Sequence, residues 1–129
     1  MFYNTIREFS EIVADYTVSE FRRYGAAMSF VAKVVFIDGS VLFIKDYLFI
    51  DGKRKYSYHW QDDSGSLLSR WDNAPHHDDI ISFPHHRHLH NAQVTASTER
   101  TLPDIFHFIR STLIRDCSFS AISVYKSDV

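Results

Sequence analysis

Cysteine is nearly absent from this chain, because Cys117 is the only one among its 129 residues. A single cysteine cannot form a disulfide within the chain. Sparse cysteine usage is typical of proteins that work in the reducing cytoplasm. We therefore expect a cytoplasmic protein without an intrachain disulfide.

Long hydrophobic runs are also missing. A membrane-spanning helix needs about 20 consecutive apolar residues. Charged residues interrupt the most apolar stretches at Lys33, Asp38, Lys45 and Asp46. Arg7 falls where a signal peptide would need its apolar segment. The sequence therefore predicts a soluble protein with no membrane segment and no signal peptide.

A strong excess of positive charge is the third absence. The chain has 14 Lys and Arg against 16 Asp and Glu, which gives a formal net charge of -2 with neutral histidines. Proteins that wrap nucleic acid without sequence preference generally carry a strongly basic surface. The balance therefore disfavours broad wrapping, but it is compatible with a nucleic acid that is held at one local site.

The composition is that of an ordinary globular protein, with 45% hydrophobic and 23% charged residues. The length is typical of one domain, and neither an internal repeat nor a linker interrupts the chain. We expect a single domain over residues 1–129.

Turn signals divide the middle of the chain into runs of β-branched and aromatic residues. The turn pairs are Asp38-Gly39, Asp51-Gly52 and Ser64-Gly65. Such pairs are typical of hairpins, because glycine accepts the positive φ that a tight turn needs. The pattern predicts an antiparallel meander with strands over residues 28–37, 41–50, 54–62 and 66–72.

Helical periodicity precedes the meander. Ile6, Phe9 and Val13 recur at helical spacing and predict a helix over residues 4–13, with Asn4 or Thr5 as its cap. An edge strand over 16–24 is expected to follow this helix.

A second helix is predicted after the meander, over residues 101–117. Thr101 is its expected cap, and Asp104 lies near the positive end of the helix dipole. Its apolar stripe comprises Ile105, Ile109 and Leu113, with Leu102 and Phe106 beside it. With a further strand over 92–97, these elements predict an α+β fold in which two helices cover one face of an antiparallel sheet.

Six of the eight histidines lie in the segment APHHDDIISFPHHRHLH, residues 74–90. Imidazole has an ordinary pKa near ~6.5, so it can transfer protons or bind metal near neutral pH. One interpretation is a polar loop whose histidines cap turns and stack on aromatic rings. A second is a metal site. A third is acid–base chemistry on a phosphodiester.

The metal interpretation depends on a strand over residues 85–90. Such a strand would place His86 and His88 on one face and Arg87 on the other. The two histidines, with Asp72, Asp78 or Asp79, could bind zinc. No His-Glu-x-x-His or Cys-x-x-Cys motif accompanies them, and we expect no metal or other cofactor.

The acid–base interpretation fits the needs of RNA cleavage by its own 2′-hydroxyl. That reaction needs a base, an acid and cations around the phosphate. Two histidines could supply the first two, and Arg70, Arg87 or the patch over residues 53–55 could supply the cations. Tyr56, Tyr58, Trp60 and Trp71 could stack on bases, although alternating aromatic residues on a strand more often belong to a core.

Three ordered motifs, YSYHWQD, SGSLLSRWDNAPHH and FPHHRH, resemble the signature of the bacterial and archaeal TumE-like family, the toxins of toxin–antitoxin pairs. The resemblance runs from about Asp38 through His88. The matching positions are Tyr58, Arg70, Asp72, Asn73, His76, His77, His85, His86 and His88. The resemblance implies a compact α+β toxin, an RNA-targeting nuclease of the general RelE/barnase-like type, which a cognate antitoxin neutralises.

We therefore predict a toxin-like ribonuclease that uses histidine acid–base catalysis without an obligatory metal. His77 and His86 are the first candidates for proton transfer, and His76 and His88 are expected to support them. One rival is a metal-dependent phosphodiesterase that uses His86, His88 and Asp72. Another is a non-enzymatic module that binds a metal or a partner protein.

The substrate-binding candidates come from the same motifs. Arg70 and Arg87 are expected to contact phosphate, and Tyr58 is expected to contact the substrate. Asp72 and Asn73 are expected to shape the site, because Asx side chains commonly bond to nearby backbone N–H groups.

Overall fold

Seven strands lie between two helices in the computed structural model, which describes residues 1–127 and the side chains of residues 1–115. The elements are α1 (Phe2–Glu8), β1 (Val13–Tyr24), β2 (Ala27–Phe36), β3 (Val41–Leu48), β4 (Arg54–Gln61), β5 (Leu67–Asp72), β6 (His86–Leu89), β7 (Val94–Ala96) and α2 (Leu102–Ser127). Among the described helices, none combines the length and the apolar character that crossing a membrane would require.

The strands form one antiparallel sheet in the order β1-β2-β3-β4-β5-β6-β7. Each strand pairs with its neighbour in the chain, so the whole sheet is a meander. The predicted α+β class and the four predicted meander strands are confirmed. The expected strands at 16–24 and 92–97 are also present, as β1 and β7.

Two of the predicted hairpin turns have backbone angles that require glycine. Gly39 and Gly52 have φ values of 85° and 88°. Each glycine closes its hairpin with a backbone N–H bond of 2.9 Å to the carbonyl three residues earlier. Residues other than glycine rarely adopt such φ angles, so these turns fix the register of the strands that they join.

One face of the sheet packs against the helices. On β4, Tyr56, Tyr58 and Trp60 are buried, whereas His59 between them is partly exposed. From α2, the predicted stripe is buried, and the ring of Phe106 lies 5.6 Å from that of Phe36. The core therefore occupies the helix-covered face, and the opposite face of β4 is open.

The N-terminal helix is shorter than predicted. It ends at Glu8 rather than residue 13, and Val13 begins β1. Phe9 and Ile12 are nonetheless buried, because a turn joins them (Ile12 N–H to Phe9 O, 3.1 Å) and Ile12 O accepts from Ile37 N–H at 2.9 Å. A helix followed by a turn thus buries residues at the same spacing as a longer helix.

The predicted caps have different outcomes in the two helices. Neither Asn4 nor Thr5 caps α1, which begins after Met1, and Thr5 Oγ1 instead donates to Met1 O. The Thr101 cap of α2 is confirmed, because Asp104 N–H donates to Thr101 Oγ1 at 3.4 Å. Asp104 Oδ2 in turn accepts from Thr101 N–H at 3.2 Å, which completes a reciprocal cap.

Substitutions of two isoleucines on α2 test how much its buried face contributes to stability. Ile109 is 0% exposed and Ile114 is 52% exposed. We expect Ile109→Ala to lower the free energy of unfolding by about 2–5 kcal/mol, because it leaves a cavity. Ile114→Ala is expected to change it by less than about 0.5 kcal/mol. Urea unfolding checks this, and equal losses in the two variants would contradict the assignment of the core face.

Candidate active site

Strands β5 and β6 bring one carboxylate and two histidines together on the open face of the sheet. Asp72 lies directly opposite His86, and Arg70 lies opposite His88. Because side chains alternate along a strand, His86 and His88 share one face of β6. The strand on which the metal interpretation depends is present, over His86–Leu89.

Asp72 is the centre of this cluster, and its side chain is only 8% exposed. Its Oδ1 lies 2.9 Å from His86 Nε2, and its Oδ2 lies 3.3 Å from both His88 Nε2 and Arg70 Nε. Oδ1 also accepts from Ala74 N–H at 3.0 Å. The carboxylate thus orients two imidazoles and one guanidinium.

The imidazole of His86 has one fixed proton. Its Nδ1 lies 3.0 Å from the carbonyl of Pro84, which can only accept, so Nδ1 donates. Its Nε2 faces Asp72 and also lies 3.1 Å from His88 Nε2. A proton or a cation beside His86 Nε2 would therefore lie among several electron-pair donors.

His77 completes the cluster from the loop between β5 and β6. Its ring centre lies 4.9 Å from that of His86 and 5.8 Å from that of His88. His77 is exposed and has a φ of 49°, which is uncommon for a residue other than glycine. Such strained positions cluster at functional sites, which makes His77 a candidate for direct contact with a ligand.

Three of these side chains could hold a metal ion. One donor atom from each of His77, His86 and His88 lies within 4.8 Å of the others. Nitrogen atoms around a tetrahedral zinc lie roughly 3.4 Å apart, given zinc–nitrogen bonds of about 2.0–2.1 Å. The bond from His86 Nδ1 to a carbonyl is also typical of a metal-ligating histidine.

An open cavity of about 330 Å³ lies against the cluster. Arg70 and Lys55 both line it, so two cations can reach the same space as the histidines. Lys55 is the only member of the 53–55 patch that does so. His76 also lines the cavity and is exposed.

His88 differs from an exposed histidine in the pKa of its imidazole. Its pKa lies below the usual 6.5, chiefly because partial burial disfavours the imidazolium. The charge of Asp72 opposes this shift, whereas His86, Arg70 and His77 add to it. His88 is therefore neutral at neutral pH, which suits a proton acceptor.

Two predicted substrate contacts lie away from the cavity. Arg87 lies on the opposite face of β6, where its guanidinium carbon is 4.3 Å from the ring centre of Phe108 and its Nε donates to Ser69 Oγ. Tyr58 is 1% exposed, and its hydroxyl accepts from Arg54 at 2.6 Å. Burial raises the pKa of Tyr58.

Two further motif residues contact β4 next to the cavity. Asn73 joins the end of β5 to β4, because its Oδ1 accepts from Tyr56 N–H and its Nδ2 donates to Arg54 O. His85 stacks on Tyr56, and its Nδ1 lies 2.8 Å from the tyrosine hydroxyl. The bond from Ala74 N–H to Asp72 is the local Asx contact that the sequence predicts, whereas Asn73 bonds across to β4 instead of to its own turn.

Comparison with known proteins gives one match. A family model described as Toxin TumE matches residues 2–113. No curated protein matches the chain, and no solved structure matches it. The match covers every element from α1 through β7 and the first half of α2.

Replacing the central carboxylate tests the electrostatics of the cluster. We expect Asp72→Asn to lower the pKa of His88 further, because the negative charge that favours its imidazolium is lost. An NMR titration of the imidazole resonances measures this. The exposed Asp79 gives the control, and Asp79→Asn is expected to leave the pKa of His88 unchanged. An unchanged or raised pKa in Asp72→Asn would contradict the described contact.

Proposed function

Because the chain belongs to the Toxin TumE family, we propose that it is a toxin-like ribonuclease of a toxin–antitoxin system. In this proposal it cleaves RNA phosphodiesters by histidine acid–base catalysis without a metal. The observation that carries it is the cluster of His77, His86 and His88, the last two in contact with Asp72, beside a cavity that two cations line. Acid–base groups and phosphate-binding cations are what such cleavage requires.

The reaction needs one proton acceptor and one proton donor. The acceptor removes the proton of the 2′-hydroxyl, and O2′ attacks phosphorus. The bond from phosphorus to the 5′-oxygen then breaks, and the donor gives its proton to that oxygen. The products are a 2′,3′-cyclic phosphate and a free 5′-hydroxyl.

The lowered pKa of His88 suits the acceptor, and the exposed position of His77 suits the donor. The sequence-based hypothesis gave proton transfer to His86 and a supporting role to His88. His86 is 3% exposed and is bonded at both ring nitrogens. We therefore assign it a positioning role between Asp72 and His88.

Arg70 and Lys55 are the proposed phosphate contacts. The Arg70 side chain is 42% exposed, and its Nε already points to Asp72 Oδ2. The two NH₂ groups of its guanidinium can therefore be offered to a phosphate while Nε stays anchored, which costs little reorganisation. Arg87 lies on the other face, so it has no part in this scheme.

The proposal includes three finer expectations from the sequence. The protein acts in the cytoplasm, a cognate antitoxin neutralises it, and its nuclease type is RelE/barnase-like. The family's description as a toxin supports both the toxic activity and the antitoxin partner of this proposal. The small α+β fold with an open sheet face is compatible with the nuclease type.

A metal-dependent phosphodiesterase is the second candidate function. The three imidazole donor atoms within 4.8 Å of one another favour it, with Asp72 beside them. The two candidates differ in the attacking group, which is the 2′-oxygen of RNA in the first and water in the second. They therefore leave different ends on the cleaved strand.

Two substitutions test the acid–base proposal. We expect His88→Ala and His77→Ala to slow RNA cleavage by about 10²- to 10⁴-fold, the usual effect of losing a catalytic acid or base. The exposed His90 follows β6 and gives the control, so His90→Ala should cleave at the parent rate. Single-turnover kinetics with a labelled RNA measures the rates, and circular dichroism checks the fold.

The same assay has an expected pH dependence. As pH falls, His88 becomes protonated and can no longer accept the proton, so the rate falls through its pKa. This acid limb should lie below pH 6.5, since the pKa of His88 is lowered. Parent-like cleavage by both folded variants would refute the assignment of these histidines. An acid limb above pH 6.5 would refute His88 as the acceptor.

Growth of bacteria tests the toxin assignment. We expect induction of the chain to arrest growth and His88→Ala at the same level of protein to restore it. Co-expression of the product of the neighbouring gene should also restore growth, by neutralising the toxin. Colony counts after induction measure the effect. Normal growth with the parent chain at a comparable level would contradict a toxin.

A further inference from the structure

A row of side chains crosses the open face of the sheet and ends at the histidine cluster. In the strand register, Lys33 on β2 lies opposite Phe43 on β3, and Phe43 lies opposite His59 on β4. His59 lies opposite Arg70 on β5, which lies opposite His88 on β6. The row therefore leads from Phe43 to the candidate catalytic histidine through one imidazole, His59, and one guanidinium, Arg70.

A second cavity, of about 290 Å³, lies along this row. It is lined by Phe43, Lys45, Ser57, His59, Gln61 and Arg70. Ser57 and Arg70 line the histidine cavity as well, so the two cavities are neighbours on one surface. Among the described residues that line the second cavity there are two cations and no carboxylate, which suits a polyanion.

The phenyl ring of Phe43 lies on the open face of the sheet and does not belong to the core. It lies between Leu42 and Ile44, which are 0% and 1% exposed, whereas Phe43 itself is 38% exposed on the other face of β3. Its ring centre is 6.2 Å from that of His59, with 56° between the ring planes. The sequence-based candidates for base stacking, Tyr56, Tyr58, Trp60 and Trp71, are all buried instead.

The neighbouring imidazole is neutral at neutral pH. Burial lowers the pKa of His59, and the positive charge of Arg70 lowers it further. A neutral ring beside a phenyl ring offers a surface for stacking rather than a charge for phosphate. Lys45 and Arg70 flank the two rings and supply the charge.

We propose that Phe43 and His59 form a base-binding subsite for single-stranded RNA, where the base of a nucleotide next to the cleaved phosphate stacks on Phe43. Lys45 and Arg70 bind the phosphates on either side of that nucleotide. This inference rests on the proposed ribonuclease function and names a substrate subsite for it. Aromatic stacking accepts every base, so the subsite adds affinity without demanding one sequence.

RNA binding by a slowly cleaving protein tests the subsite directly. In a His88→Ala background, fluorescence anisotropy with a short labelled single-stranded RNA gives the Kd. We expect Phe43→Ala to raise the Kd by about 5- to 150-fold, the usual effect of losing one stacked base. Phe43→Tyr keeps a ring and should restore binding. Phe49→Ala removes an exposed phenyl ring from the β3–β4 turn and should leave the Kd unchanged.

An abasic oligonucleotide with the same backbone separates stacking from charge. It should bind more weakly than the RNA, and Phe43→Ala should not weaken it further. If Phe43→Ala binds RNA as tightly as its parent, or loses affinity equally for the abasic strand, the inference is overturned. The same holds if Phe43→Ala weakens only the binding of the antitoxin, because the face would then be a protein interface.

The outcomes also separate this inference from the proposed function. A parent chain that cleaves RNA, with a Phe43→Ala variant of unchanged Kd, would overturn the subsite and leave the ribonuclease intact. A parent chain that binds RNA through Phe43 but does not cleave it would support the subsite and overturn the ribonuclease. A chain that does not bind single-stranded RNA would overturn both.

Discussion

The buried carboxylate of Asp72 is the constraint on which the site depends. A charge that is 8% exposed is costly unless other groups pair with it. Asp72 meets this cost with His86, His88 and Arg70, and with the backbone N–H of Ala74. Three of these partners come from β5 and β6, so the pairing of those strands and the geometry of the site are stabilised together.

Side chains alternate between the two faces of the sheet, so the core residues lie on one face and the candidate site residues lie on the other. Its helix-covered face buries rings such as Trp60, and its open face presents His59 and Arg70. Turn glycines and alternating residues made the meander predictable from sequence. The length of α1 was not predictable, because Phe9 and Ile12 are buried through a turn that has the same spacing as a helix.

The histidine site was predictable in part. Strand alternation places His86 and His88 together and Arg87 on the other face, so it already disfavoured Arg87 as a phosphate contact. The contact of both histidines with Asp72 depends on the β5–β6 register, which follows a loop of 13 residues whose path the sequence does not reveal. Phe43 carried a signal that was missed, since it alternates with the buried Leu42 and Ile44.

The chemistry of the cleaved ends tests the central claim, that histidines activate the RNA's own 2′-hydroxyl. The measurement is mass spectrometry of RNA fragments that the purified chain produces in the presence of a strong chelator. The account predicts 2′,3′-cyclic phosphate ends, 5′-hydroxyl ends, and no cleavage where the scissile nucleotide lacks its 2′-hydroxyl. Cleavage that stops with chelation, or that proceeds at the 2′-deoxy position and leaves a 5′-phosphate, would contradict it.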